Sequence, residues 1–396
     1  MLDWRSLDLT APTPEHALFA ETLRAFVARE VEPQAAAHDR EERFNLALFR
    51  RAGELGLLGV ILPTEYGGAG LDATAAVQLL EALSTSDPGF ALAVLAHGIL
   101  FAQNVAVNGN EAQRRRVLPK AASGDWIGGL CMTEPEVGTD VLAMRTRAKR
   151  DGDVYVIDGR KTFITNGGVD ETTLGDAFVV YASTGEREIT SFLVEKGMRG
   201  FTLGQKWKDK LGMRASFTAE LVFDGVRAPV ANRLGEEGEG TLQMMRNLEV
   251  ERLTLAAMSL GIAQRSLRVM VDWANQRKTF GVPIREHGQI QRYLAEGFAE
   301  WRSARAFVYD TARRIDLTKT GQRVDADAAK LVASQMGKRV ADAAVQVLGG
   351  YGYMGENVVE RLWRDAKLLE IGGGTLEAHH KNLTKDLCRD PGAYLG

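Results

Sequence analysis

The chain has 396 residues, more than one ordinary core needs, so two or three domains of roughly 100–200 residues each are expected. With 45% apolar and 26% charged residues it has the profile of a water-soluble globular protein, and a net charge of −3 gives no electrostatic case for nucleic acid or an anionic membrane surface. Its two cysteines, Cys131 and Cys388, form no CxxC pair and have no clustered His partners, which argues against a disulfide framework and a structural zinc site.

The opening MLDWRSLDLTAPTPEH lacks the basic start and apolar core of a signal peptide. The chain is also read as holding no uncharged apolar stretch approaching eighteen residues, hence no membrane span. The expected location is cytoplasmic, or the mitochondrial matrix if the source is a eukaryote and a transit peptide has been removed. From Pro14 to Ser123 the pattern is helical, and HALFAETLRAFVAREV sets Leu18, Leu23, Phe26, Val27 and Val31 near one face. Pro63 to Gly68 breaks it as a glycine-rich loop. From Ile127 to Pro229 short β-like runs take over. DVYVIDGRKTFI reads as two strands joined at Asp158-Gly159, and AFVVYA, TSFLVE and AELVFD follow at strand length. From Gly240 helices return. LEVERLTLAAMSLGIAQRSLRVMVDWANQ is apolar on most faces and should be buried, and ADAAKLVASQMGKRVADAAVQVLGG is a second long helix ending in glycines. The expected fold is mainly α with a central β domain: residues 1–125 helical, 126–239 β, 240–396 helical.

Three segments carry candidate chemistry. Met132 to Asp140, MTEPEVGTD, offers hydroxyls at Thr133 and Thr139 and backbone donors around Gly138, as a loop holding a polar ring edge or a phosphate would; an ordinary polar connection fits equally. KTFITNGG puts Phe163 and Thr165 on one side of a strand, an aromatic face beside a hydroxyl, although a core aromatic explains Phe163 as well. On the long helix, Leu248, Glu251, Leu255, Met258 and Ile262 share one stripe at three- and four-residue steps. A carboxylate there is costly to bury and burial raises its pKa, a common way to make a working base. Arg252 beside it leaves a structural ion pair open as the alternative.

Taken in order, the motifs resemble those of the acyl-CoA dehydrogenase family. Thr133-Glu134-Pro135 with Gly138-Thr139-Asp140 matches a TEPxxGSD-like loop, Lys161 to Asn166 a KxWITN-like strand, and Gly212 to Ser216 a GxRxS-like segment. Arg277 to Gly281 matches an RKTFG-like turn, Gln346 to Tyr353 a QxxGGxGY-like run and Gly374 to Glu377 a GT(S/N)E-like end, while Glu65 to Gly68 also fits. The resemblance covers nearly the whole chain. It implies an N-terminal helical domain, a middle β-barrel or sheet domain and a C-terminal four-helix bundle, with FAD as cofactor. Thr133 and Thr139 would bind the isoalloxazine edge, with Phe163 and Thr165 against the flavin. Arg277, Phe280, Gln346 and Gly350 would hold the adenosine and pyrophosphate of FAD in a neighbouring subunit, and Thr375 and Glu377 would sit over the cofactor. Arg252 would lie near the acyl-CoA thioester and pantetheine, with Glu249 in the surrounding shell. A site shared between subunits implies a homo-oligomer, most often a tetramer.

Many family members carry the catalytic glutamate in a YEGT-like sequence before the closing Gly-Thr, where this chain has Gly373. A branch including isovaleryl-CoA and long-chain dehydrogenases places it instead on the buried helix directly before its arginine, which is Glu251 here. The resemblance thus selects the carboxylate that periodicity singles out, with Glu249 as runner-up. It assigns Glu251 the α-proton, and the Gly373 N–H, with a flavin hydroxyl, the enolate oxygen. Phe163 in place of tryptophan, Gly288 in place of glutamine, Leu376 and His379-His380 depart from the family pattern; the His pair is expected on a solvated helix face and His97 in the core. The reaction expected is α,β-dehydrogenation of a short or branched acyl-CoA, with electrons passed to electron-transfer flavoprotein. The glycines Gly372 to Gly374 support that substrate by leaving room near the β and γ carbons. The same chemistry on a carrier-protein thioester, a flavin oxidase or monooxygenase, and a silent flavoprotein scaffold are the alternatives.

Overall fold

The computed structural model describes residues 8–395. Seven helices come first: α1 (Pro14–Phe26), α2 (Glu32–Arg40), α3 (Leu46–Glu54), α4 (Ala73–Ser84), α5 (Pro88–Leu95), α6 (Gln103–Asn108) and α7 (Glu111–Ser123). Their starts are visible in the sequence. Thr13, Asn45, Asp72, Asp87 and Asn110 each turn a side-chain oxygen onto a first-turn N–H, satisfying a donor the helix itself leaves free. Leu23, Phe26, Val27 and Val31 are buried as expected, but Leu18 stands 66% exposed, off the stripe. Between α5 and α6 the residues Ala96–Ala102 wind as a π-helix, a wide turn that recurs at functional sites.

One expectation fails here. Pro88–Asn108 is 21 residues long and apolar enough to cross a membrane, with no Asp, Glu, Lys or Arg in it. Its most apolar window is 78% buried inside the protein, so it is the spine of the first helical domain and its composition follows from packing.

The middle domain contains β1 (Gly128–Cys131), β2 (Arg147–Asp151), β3 (Val154–Thr165), β4 (Ala177–Gly185), β5 (Glu188–Glu195), β6 (Phe201–Lys206), β7 (Thr218–Pro229) and β8 (Arg233–Leu234). They form one sheet in the order β6-β7-β3-β2-β4-β5-β8, with β1 pairing parallel to β4. The hairpin expected at Asp158-Gly159 is absent. β3 runs through that dipeptide as one strand, and the pairing with β7 slips there as a bulge. The tight turn lies earlier, at Gly152, between β2 and β3. A turn dipeptide mid-strand marks a bulge as readily as a hairpin, because both need a backbone that glycine adopts.

The third part holds α8 (Gly240–Gln276), a short ribbon of β9 (Lys278–Thr279) and β10 (Val282–Pro283), α9 (Gly288–Ala312), α10 (Arg323–Leu348), α11 (Val358–Leu369), α12 (Leu376–Arg389) and α13 (Pro391–Leu395). Nearly every residue of α8 from Asn247 to Ala263 is buried, since it packs on α4 as well as on α9 and α10. The Gly212–Ser216 segment, between β6 and β7, joins the three parts. A Cβ at Gly212 would come within 2.6 Å of the Arg364 backbone, the next N–H, that of Met213, donates to Asp365 at 2.5 Å, and Arg364 pairs with Asp39 of α2 at 2.7 Å.

Candidate active site

The stripe singled out on α8 is buried along its length: Leu248, Glu251, Leu255, Met258 and Ile262 are each at most 8% exposed. Glu251 is its anomaly. Among the described residues no side chain or backbone group hydrogen-bonds its carboxyl, and Oε2 is buried without a partner. Burial pushes its pKa up to about 7, against the opposing pull of Arg252 and Lys330, so near neutral pH it can both hold and release a proton. The ion pair with Arg252 that the sequence left open is not formed. Arg252 turns to Asp327 of α10 at 2.7 Å and to the Gly373 carbonyl at 3.3 Å. Glu249 faces elsewhere: its two oxygens accept the N–H groups of Gly321 and Gln322 at 3.2 and 2.9 Å. It anchors the loop before α10.

The chain returns to Glu251 through the turn between α11 and α12. A Cβ placed on Gly373 would lie 3.6 Å from the Glu251 carboxyl carbon and would overlap Leu255 Cδ1. The carboxyl on α8 therefore occupies the neighbourhood that a glutamate at residue 373 would reach. Gly373 adopts φ +66° and Gly374 φ +103°, a left-handed path that side chains resist. Among the described residues the Gly373 N–H has no partner, whereas the preceding N–H, of Gly372, bonds Leu368. The room expected from Gly372 to Gly374 is only partly present, because Leu255 fills the space beside Gly373, while a Cβ at Gly372 would meet nothing nearer than 3.5 Å.

The Gly374 carbonyl accepts from Lys330 Nζ at 2.8 Å and faces His379 Nε2 at 3.0 Å. His379 Nδ1 faces Asp327 at 3.1 Å. His379 is fully buried, contrary to the expectation of a solvated His pair; only His380 is exposed. Sequence reading passed over Asp327 and Lys330, although Asp327, Lys330, Ser334, Gly337 and Ala341 form a buried stripe on α10 with the spacing that drew attention to Glu251. Thr375 caps α12 through the Ala378 N–H, and Glu377 is exposed in its first turn.

On the middle domain the KTFITN and TEP segments are bound to each other. Lys161 Nζ reaches Glu134 Oε1 at 2.8 Å and the Met132 carbonyl at 3.0 Å, both side chains buried. The same carboxylate accepts the Arg145 and Thr146 N–H groups, so it shapes the loop bearing Thr133 and the exposed Thr139. A second slip in the β3–β7 pairing falls between Lys161 and Ile164, and there Phe163 takes φ +58°. The bulge turns its ring outward, 62% exposed, against Trp207 at 5.3 Å between centroids. The core-aromatic reading of Phe163 is thus overturned. An outward aromatic face flanked by hydroxyls is a fit for a flat, partly polar ring system. His97, by contrast, is a satisfied core residue. Its ring nitrogens meet the Ala121 carbonyl at 2.9 Å and the Gly128 N–H at 3.0 Å, and burial lowers its pKa to about 4.

Arg277 and Gly350 line a groove of about 690 Å³ at the far end of α8, with Trp273, Gln289 and Tyr351. Phe280, 96% exposed, and Gln346 lie exposed near it in the chain. Gln289 thus stands in the groove while Gly288 opens α9.

Family models for the N-terminal, middle and C-terminal domains of acyl-CoA dehydrogenase match residues 13–125, 129–226 and 238–388. The chain belongs to the acyl-CoA dehydrogenase family. Over 378 residues it is 40% identical to an isovaleryl-CoA dehydrogenase of Oryza sativa, covering 94% of this chain and 91% of that one. The structure of butyryl-CoA dehydrogenase from Megasphaera elsdenii matches with a TM-score of 0.90 at 34% identity, over 98% of this chain and 100% of that chain. An acyl-CoA dehydrogenase complexed with FAD from Bacillus anthracis matches with a TM-score of 0.88 at 29% identity, over 96% and 67%. The protein is accordingly an acyl-CoA dehydrogenase, an oxidoreductase with FAD as its cofactor.

Proposed function

We propose that this acyl-CoA dehydrogenase desaturates short or branched acyl-CoA thioesters, with Glu251 as the base that removes the α-proton. The observation that carries the reading is a buried carboxyl beside a backbone N–H, neither with a partner among the described residues. An α-proton is too weakly acidic for a solvated carboxylate, so the site must raise the base's proton affinity and stabilise the developing enolate oxygen. Burial of Glu251 supplies the first, and the Gly373 N–H offers a fixed donor for the second. Bound FAD supplies the acceptor for the hydride that leaves the β carbon. Phe163, with Thr133, Thr139 and Thr165, would hold the ring, and Thr375 and Glu377 would lie over it.

Short or branched substrates are favoured by the room left at Gly372 and by the rice and Megasphaera relatives named above. We further propose that a second copy completes each cofactor site. Arg277 ends α8, 26 residues beyond Glu251, which at the rise of an α-helix is roughly 39 Å. The groove at Arg277, with Gln346, Gly350 and Phe280 around it, would then serve the FAD of a neighbouring chain. Arg252 would act close to the thioester through Gly373, and electron-transfer flavoprotein would take the electrons.

Anaerobic titration of the flavin-loaded protein with a panel of acyl-CoAs, isovaleryl-CoA and butyryl-CoA included, tests the substrate. Rapid bleaching by short or branched chains is expected. Bleaching by long straight chains alone would overturn the substrate assignment.

A further inference from the structure

The turn that carries Gly373 does not hold its shape alone. Glycines at φ +66° and +103° have many alternatives open to them, and three in a row are flexible unless fastened. The fastening comes from α10. Lys330, fully buried, donates to the Gly374 carbonyl at 2.8 Å. One helical turn earlier on α10, Asp327 holds Arg252 at 2.7 Å and His379 at 3.1 Å. Those two side chains reach the Gly373 and Gly374 carbonyls respectively. Lys330 engages one lone pair of the Gly374 oxygen, and His379 Nε2 lies 3.0 Å from the same atom. Once both peptide planes after Gly373 are clamped, its N–H keeps only the φ and ψ rotations of that one residue.

We propose that Lys330 is a positioning residue for α-proton removal, clamping the glycine turn that presents the Gly373 N–H and setting a positive charge behind Glu251. This rests on Glu251 being the base. Lys330 and Glu251 each favour the other's charged form, while burial first and the Arg252 cation second oppose the charge on Lys330. The other charged or titratable groups coupled to this pair are Arg252 on α8, Tyr181 on β4, Asp327 on α10 and Glu370 after α11, with His379 on α12 beside Lys330. Of these Arg252 and Lys330 are the cations acting on Glu251.

The test compares wild type, Lys330→Met, Lys330→Arg and Glu251→Gln as flavin-loaded proteins, checked for bound flavin and Tm. For Lys330→Met the expected result is a kcat lowered by roughly tenfold or more with a smaller change in KM. The acid limb of kcat/KM should move up by about one pH unit, because a cation that favoured the carboxylate is gone. Deuterium at the α carbon should slow this variant more than wild type, and Lys330→Arg should restore most of each property. If Lys330→Met loses its flavin, Lys330→Gln, which keeps a donor without the charge, replaces it in the pH profile. An acid limb that stays in place overturns the proposal, whatever happens to kcat. A fully active Glu251→Gln would instead overturn the base assignment beneath it; an inactive one beside an unchanged Lys330→Met limb removes Lys330 alone.

Discussion

Glu251 has two opposing effects that can be measured separately. Its pKa in the folded protein is about 7, against an ordinary carboxylate value in the unfolded chain. Between about pH 4.5 and 7 the unfolded chain releases the proton while the folded one retains it, so folding stability falls across that window and stays lower above it. The displacement is worth about 3 kcal/mol. Glu251→Gln should therefore raise Tm at pH 8 and leave it nearly unchanged at pH 4.5, which thermal melts at the two pH values check. The same change should retain flavin and acyl-CoA binding while lowering kcat by about 10²–10⁴-fold. In the wild type, kcat/KM should rise with pH through an acid limb near pH 7, since the base works only when ionised. Lys161 offers a contrast. Its charge is matched by Glu134, so Lys161→Met leaves a buried carboxylate without its cation, held only by two backbone N–H groups, and should cost roughly 3 kcal/mol, read by urea unfolding of the flavin-free protein.

At the scale of elements, the bulge in β3 is the device that turns an aromatic face outward. Phe163 faces outward because the pairing slips between Lys161 and Ile164. Phe163→Ala should keep the sheet and lose flavin, seen as a fall in bound absorbance at unchanged far-ultraviolet circular dichroism. The order of helical, β and helical parts was legible in the sequence because it is carried by periodicity over long stretches. Glu251 was legible for the same reason, as a carboxylate on an apolar stripe. Other features depend on contacts that periodicity does not encode. The DG dipeptide at Asp158-Gly159 suits a turn and a bulge alike, and only the neighbour β7 decides between them. Arg252 could pair with Glu251 or reach across to Asp327, and the choice depends on where α10 packs. His379 is buried because the α11–α12 turn folds back onto α10, a contact between residues 52 positions apart. The uncharged run Pro88–Asn108 shows the opposite limit: composition alone cannot tell a buried spine from a membrane span.

Across the whole molecule, the outward face of Phe163 and the Arg277 groove lie on different parts of the chain, and Arg277 stands 26 residues beyond Glu251, at the end of α8. If the groove serves a neighbour, Arg277→Ala should lower flavin content without altering the Glu251 environment. Its remaining flavin-loaded fraction should then show wild-type kcat. Flavin release on dilution, in step with dissociation in analytical ultracentrifugation, would be the matching observation for the unaltered protein. A monomer that keeps its flavin would remove the second copy from the site.

Leu255 bears on how such a site can change over time. A glutamate at residue 373 would need a left-handed backbone and would collide with the Leu255 side chain, so that substitution alone meets both strain and overlap. On the proposed assignment, losing Glu251 first would leave no base. Moving the carboxyl from the helix to the turn therefore needs Leu255 to swing aside or to shorten, and shortening it by itself opens a cavity in the core. On the proposed assignment of Glu251 as the base, its position is thus held by history as well as by chemistry, since the turn and Leu255 have to change together.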